Sequence, residues 1–435
     1  MIIYVDEVTE RLVYTLDFVF KDRKVEYQLT NDLLYFTNCE GVKFNYSPKQ
    51  LHDTFSIVPS KILFDEEISE IEVGKTIYMQ EEMYELDGVI DPLAAIFYTV
   101  SRYEEYLSSK TDEHNRFEPE SSTLFTFGWL KRCVADRWAK ALISEIQLHY
   151  GVYFQVAKIT AQYIPTFDID IARAFEWKEG VRTIYGKWKD WVGKDKKSKL
   201  IRNAVLAGKQ KDPFDTFNKI EVYADLGFEV KMFWLVGDLA KYDRNISVFD
   251  QRHRMLIRKM SQLTDLGIHP SYKSNSSTYY LENEIERLNE IVGYKVSISR
   301  QHYLKCKLPE TYRHLLEYGI REDFTMGYAS QVGFRAGTAR PFYFFDLNKN
   351  MRTSLKVRPF TYMDGTLNEY LNCTIIESRM ILDELINEVK IYGGDFISIW
   401  HNESIADYGK WKGWSVLIDQ TMDAFKIEAV NEDDN

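Results

Sequence analysis

The stretch PTFDIDIARAF, residues 165–175, carries Asp168 and Asp170 one residue apart behind an apolar approach. On a strand, alternate side chains leave the same face, so both carboxylates can point at one spot. Two like charges held together repel unless a cation or a proton sits between them, so the pair implies either a metal site or an acid/base pair. Other residues able to do chemistry follow at intervals: His269 in GIHPS, Arg300 and His302 in SRQHYL, Arg335 in GFRAGTARPF, Asp364 in YMDGT, and Trp400, His401 and Glu403 in IWHNES. Carboxylates and imidazoles bind divalent cations, and imidazoles carry protons near neutral pH.

From about residue 160 the chain alternates short apolar runs with helical stretches. The runs AQYIPTFDID, EVKMFWLV, LGIHPSY, KVSISRQHYL, SQVGFRAG, LKVRPFTYMD and DFISIWHNES read as seven strands. RHRMLIRKMSQLTDLG, YYLENEIERLNEIVG and SRMILDELINEVKIYGG read as helices, each stopped by glycine. Such alternation predicts an α/β domain over 160–430 with a parallel sheet, open or closed into a barrel. Asp168, Asp170, His269, Arg300, His302, Arg335, Asp364 and His401 all fall at the C-terminal ends of these runs, where α/β barrels place their chemistry.

Residues 1–155 read as a separate α+β unit. RLVYTLDFVF, KVEYQL, LLYFT and KTIYMQ are strand-like; DPLAAIFYTVSRYEEYL, capped by Asp91, and GWLKRCVADRWAKALISEIQLHY are helical. No catalytic constellation stands out there, and Arg102, Glu104 and Glu105 read as a solvated helix face or a domain contact. The basic stretch 185–212 interrupts the alternation as an insertion: a lid, a surface for an anionic partner, or a solvated helix. The last residues, NEDDN, read as a frayed tail.

The chain of 435 residues is 45% hydrophobic, enough to bury a large core. Its net charge of -11 argues against a general nucleic-acid binder, which needs concentrated positive charge. Aromatic residues make up 15%, compatible with sugar-stacking surfaces or an aromatic-rich core. Four scattered cysteines without a CxxC pair fit free thiols better than a disulfide framework. Charges early in MIIYVDEVTERLVYTLDFVF do not fit a signal peptide, and no apolar run is long enough for a transmembrane segment, so a cytoplasmic location is expected.

The ordered set TFDID, GIHPS, SRQHYL and IWHNE resembles the NodB-homology domain of polysaccharide deacetylases, carbohydrate esterase family 4. The first half, with DPLAAIFYTVSRYEEYL and DEHNRFEPESS, resembles an uncharacterised domain found ahead of such modules in bacterial proteins. The resemblance implies a distorted (β/α)7 barrel and hydrolysis of acetyl groups on an acetylated carbohydrate. It assigns Asp168 as general base, Arg300 as the residue that holds and tunes it, His401 as general acid, and Asp364 as the orienter of His401. It makes Asp170 and His269 ligands of a divalent metal, Zn2+ with Co2+ or Ni2+ as substitutes. Arg335, Trp400 and Lys273 are the candidate substrate-binding residues.

The pattern departs from that family at one place. The position four residues after His269, usually a second histidine, is Lys273. A protonated lysine is a poor ligand, and a catalytic zinc takes three protein ligands. Three readings follow: His302 supplies the third ligand, the Lys273 ammonium replaces the ion, or the chain is a carbohydrate-binding or scaffold protein without catalysis. A phosphotransferase reading of DIDIA leaves His269 and His401 idle.

Overall fold

The computed structural model describes residues 1–178 and 196–431. The first half opens with β1 (Ile2–Val5), β2 (Gln28–Thr30), β3 (Lys43–Tyr46) and β4 (Phe55–Ile57), a parallel sheet in the order β2-β1-β3-β4. A hairpin of β5 (Val73–Tyr78) and β6 (Glu81–Leu86) follows, then the helices Pro92–Val100 and Val134–Tyr150. Asp91 caps the first of these, accepting the N–H groups of Leu93 and Ala94, as its sequence position implies.

Two runs read as strands are helices. RLVYTLDFVF lies in the helix Glu10–Val19, and LLYFT in Leu33–Asn38. Thr9 and Asp32 cap them through Leu12 and Tyr35, and Leu12, Leu16 and Val19 supply a helical stripe, buried together with Arg11, Thr15 and Phe18. Short apolar runs satisfy both periods, and here the caps and the burial of one stripe decide.

The second half is built on β7 (Ala161–Ile169), β8 (Lys231–Trp234), β9 (Asp265–Ile268), β10 (Ile298–Ser299), β11 (Glu322–Asp323), β12 (Phe342–Asp346), β13 (Met351–Val357), β14 (Tyr362–Met363) and β15 (Gly394–His401). Their order is β12-β13-β11-β10-β9-β8-β7-β15-β14, every pairing parallel except that of β12 with β13. The architecture is mixed α/β. Among the described residues no strand pairing joins β14 to β12 or β13, so hydrogen bonds do not close the sheet into a barrel.

Three sequence expectations change here. SQVGFRAG is a loop, not a strand, and LKVRPFTYMD is split between β13 and β14. Gly333 adopts φ 115°, and a Cβ there would meet the Leu130 carbonyl oxygen at 2.2 Å, so this loop lies flush on the first half. The helix Gln251–Met260 ends at Ser261, and Gly267, expected as its stop, lies inside β9. Gly293 and Gly393 do end their helices. Of the basic stretch 185–212, residues 185–195 lie outside the described residues, and Lys196–Leu206 is helical. The tail after Asn431 also lies outside them.

Both faces of β7 and β15 are buried, as in parallel sheets covered on both sides. One face carries Ile164, Ile397 and Ile399 into a small inner cluster with Phe233, Leu304, Phe324, Ala329 and Phe360. The other joins a larger core that runs without a break from Ile3 to Met422 and so unites the two halves. None of the helices among the described residues is long and apolar enough to cross a membrane.

Candidate active site

The inner face of β7 presents Thr166 and then Asp168, with Asp170 one residue beyond the strand. Arg300, which follows β10, is fully buried and its guanidinium lies over the Phe233 ring at 4.4 Å. Its Nη1 donates to Thr166 Oγ1 at 2.6 Å and to Asp168 Oδ1 at 2.9 Å, and its Nε to the Phe324 carbonyl at 3.0 Å. One guanidinium thus spans two residues at the strand period. Asp168 Oδ2 is left facing His269 Nε2, 3.8 Å away.

Around Asp170 three imidazoles converge. His269 Nε2 stands 3.2 Å from Oδ1, His302 Nε2 3.3 Å from Oδ2, and His401 Nε2 3.7 Å from Oδ2. Each ring is held from behind through Nδ1: His269 to the Arg300 carbonyl at 2.6 Å, His302 to Asp243 at 2.8 Å, and His401 to Asp364 at 2.9 Å. In a neutral His269 or His302 ring, an Nδ1–H donated to oxygen leaves the Nε2 lone pair directed into the site, the arrangement of metal-binding histidines.

The residues fit a divalent cation. Ligand atoms of Asp170, His269 and His302 all lie within 4.8 Å of one another. Donors set tetrahedrally about 2.1 Å from zinc are roughly 3.4 Å apart, close to the two Asp170 contacts. Asp170 Oδ1 is shielded from solvent yet lacks a hydrogen-bond partner among the described residues. Electrostatics agree. Burial opposes ionisation of Asp170, but His302, His269 and His401 outweigh it and hold the carboxyl well below the usual range. Burial likewise opposes a charge on His302, but Asp170 and Asp243 push its pKa up to about 9. A site that gathers this much proton affinity around one carboxylate is one a cation can enter by displacing protons.

His401 ends β15, and Asp364 follows β14, the neighbouring strand. Asp364 is fully buried and accepts the His401 backbone N–H at 2.7 Å as well as the ring. Burial opposes the imidazolium, but the Asp364 carboxylate prevails and raises His401 well above the ordinary histidine value. These groups open onto a cleft of about 540 Å3, whose walls include Tyr242, Tyr303, Tyr370, Trp411, Gln301 and Glu403.

Three candidates are not brought to the site. Lys273 is exposed, its ammonium 4.2 Å from the centre of the Tyr280 ring, in the short helical turn Tyr272–Ser276 that carries it off the strand axis. Arg335 is buried in a two-pronged pair with Glu105, at 2.9 and 2.6 Å, and also donates to the Gly327 carbonyl. Trp400 points to the opposite face of β15 from His401 and packs near Tyr362 in the larger core.

His302 does reach Asp170, because β10 ends at Ser299 and the strand alternation that would pair it with Arg300 stops there. Asp243, which orients it, lies in the loop after β8 and was not singled out from sequence. Its only signal is an aspartate in AKYDRN just past a strand end. The neighbouring Asn245 ties that loop to the ends of β7 and β8, donating to the Ile169 and Leu235 carbonyls at 2.9 Å each.

Residues 1–151 match a family of unknown function, DUF7033. No curated protein matches the chain. Among solved structures, a Mycobacterium smegmatis protein assigned as a polysaccharide deacetylase is 15% identical, with a TM-score of 0.41 over 62% of this chain and 86% of that one. Puue allantoinase is 12% identical, with a TM-score of 0.38 over 61% and 84%. A Bacillus cereus polysaccharide deacetylase is 11% identical, with a TM-score of 0.30 over 61% and 89%. Likenesses this distant carry no argument about activity.

Proposed function

We propose that the chain is a metal-dependent hydrolase that removes acetyl groups from N-acetylated sugars of a polysaccharide or its precursor. The observation that carries this reading is the three-donor set Asp170, His269 and His302 standing between two separately supported proton carriers, Asp168 and His401. The division near residues 155–160 is part of the same proposal, with 160–430 as the catalytic unit.

Asp170, His269 and His302 would hold the ion. When bound, a divalent cation supplies the positive charge that acidifies water and polarises an acyl carbonyl. Asp168, fixed by Arg300 with Oδ2 turned into the cleft, takes the proton of the attacking water. His401, kept protonated by Asp364, gives a proton to the departing sugar nitrogen as the amide C–N bond breaks. The products are acetate and a free amine. Tyrosine and tryptophan faces beside polar Gln301 and Asn402 suit a sugar ring.

The non-catalytic reading arose from lysine at the usual second-histidine position. His302 Nε2 beside Asp170, with Lys273 over the Tyr280 ring, supports the metal-site reading over it. The test is acetate release from a panel of N-acetylated oligosaccharides by protein loaded with zinc, cobalt or nickel. Release that vanishes in Asp168→Asn is expected; binding of the sugars without release under every metal contradicts the proposal.

A further inference from the structure

The first half of the chain reaches the cleft through one loop, residues 111–117, folded on itself by the Thr111–Phe117 bridge. Asp112 organises it. Its Oδ1 accepts the backbone N–H groups of His114 and Arg116, each at 2.9 Å, and its Oδ2 accepts Arg116 Nε at 2.6 Å. So fixed, Arg116 donates from Nη1 to the Tyr303 carbonyl at 2.9 Å.

That carbonyl belongs to an unusual turn. Tyr303 and Leu304 are consecutive residues with side chains in the left-handed region, at φ 59° and 54°, which L residues disfavour. The turn comes directly after His302 in the chain. The loop grips the other support of His302 as well. The His114 ring packs against Tyr303, Tyr272 and Tyr242, with centroids 5.0, 5.7 and 5.8 Å apart. The Tyr272 backbone N–H donates at 2.8 Å to Asp243 Oδ1, the same oxygen that His302 Nδ1 meets.

We infer that this loop is a clamp that sets the cation affinity of the site. Arg116 is a positioning residue acting through Tyr303 on His302, and His114 acts through Tyr272 on Asp243. The inference rests on the metal-site reading above and adds that the first half of the chain completes that site.

The sign of the effect separates a clamp from a nearby charge. A bare positive charge repels a cation, so its removal tightens binding. Loss of a support behind a ligand weakens binding, typically ~10–100-fold. Zinc affinity is measured on the full chain by competition with a chromophoric chelator, for wild type, Arg116→Ala, Arg116→Lys and His114→Ala. Thermal melting in excess chelator checks the fold independently of the metal.

Both arginine variants are expected to bind zinc at least about tenfold more weakly while melting as wild type does. Lysine keeps the charge but not the fork, so Arg116→Lys is expected to follow Arg116→Ala. Equal or tighter zinc binding by Arg116→Ala overturns the clamp and leaves the metal site standing. No zinc binding by wild type overturns both. If Arg116→Ala does not fold, His114→Ala carries the test with the same expected direction.

Discussion

At the scale of single residues, Asp168 and the three histidines each have a support behind them, whereas Asp170 Oδ1 has none among the described residues. Asp364 accepts from both the ring and the backbone of His401, so Asp364→Asn keeps the side-chain size but removes the charge and one of the two acceptors. We expect this change to lower kcat by about 10^2- to 10^4-fold with zinc affinity nearly unchanged. Steady-state acetate release alongside chelator competition checks it, and an unchanged kcat would remove His401 from the proton transfer. Asp243→Ala acts on the other property. It frees the His302 ring, so zinc affinity is expected to fall ~10–100-fold. Much of this cluster was legible in sequence because aspartates and histidines at successive strand ends share one rim. The failures have local causes. Trp400 adjoins His401, and strand alternation sends it to the far face. Lys273 leaves the strand axis in a short helical turn, and Arg335 sits on a loop read as a strand. Asp243 could not be read because loop geometry decides its direction.

Among the elements, the close approach of neighbouring strands sets the tolerances. A Cβ on Gly267 would stand 2.5 Å from both Cγ1 and the carbonyl oxygen of Ile298, so Gly267→Ala forces β9 from β10, the strands that lead to His269 and Arg300. Overpacking of this kind costs about 1–3 kcal/mol, and urea denaturation is expected to show that loss. Glu284, on the helix Thr278–Val292, braces the turn after His269 by accepting the Ser271 N–H at 2.8 Å and Oγ–H at 2.5 Å. Burial pushes its carboxyl up from 4.5 to about 7. The folded state then holds a proton that the unfolded chain releases, so its stabilising contribution, full below about pH 4.5, is lost as pH rises through about 7. The urea midpoint of wild type, relative to Glu284→Gln, is expected to fall between pH 5 and 7.5; parallel profiles would contradict this. The elements themselves were unevenly legible. Capped helices and the β7 and β15 runs were clear, whereas RLVYTLDFVF satisfied two periods and the two-residue strands β10, β11 and β14 are too short to carry a period.

For the whole molecule, buried charge joins the halves. Glu105 is shared by Arg102 at 2.7 Å and by both prongs of Arg335, and all three side chains are almost fully buried. Removing the shared carboxylate leaves two guanidinium groups facing each other. Glu105→Ala is therefore expected to cost about 3–5 kcal/mol, and Arg335→Ala less, since Arg102 still neutralises Glu105. Chemical denaturation compares them, and equal costs would contradict the shared-carboxylate account. With one continuous core across both halves, wild type is expected to unfold in a single transition. Sequence suggested at most a domain contact for Arg102, Glu104 and Glu105, because the partner on the Gly333–Gly337 loop lies more than 200 residues away.

Zinc content measures the donor set Asp170, His269 and His302 directly. Protein purified without chelators is compared as wild type, His269→Ala, His302→Ala and Lys273→Ala. Near-stoichiometric zinc is expected in wild type and Lys273→Ala, with its loss in both histidine variants. Full zinc in His302→Ala, or loss in Lys273→Ala, would contradict that donor set.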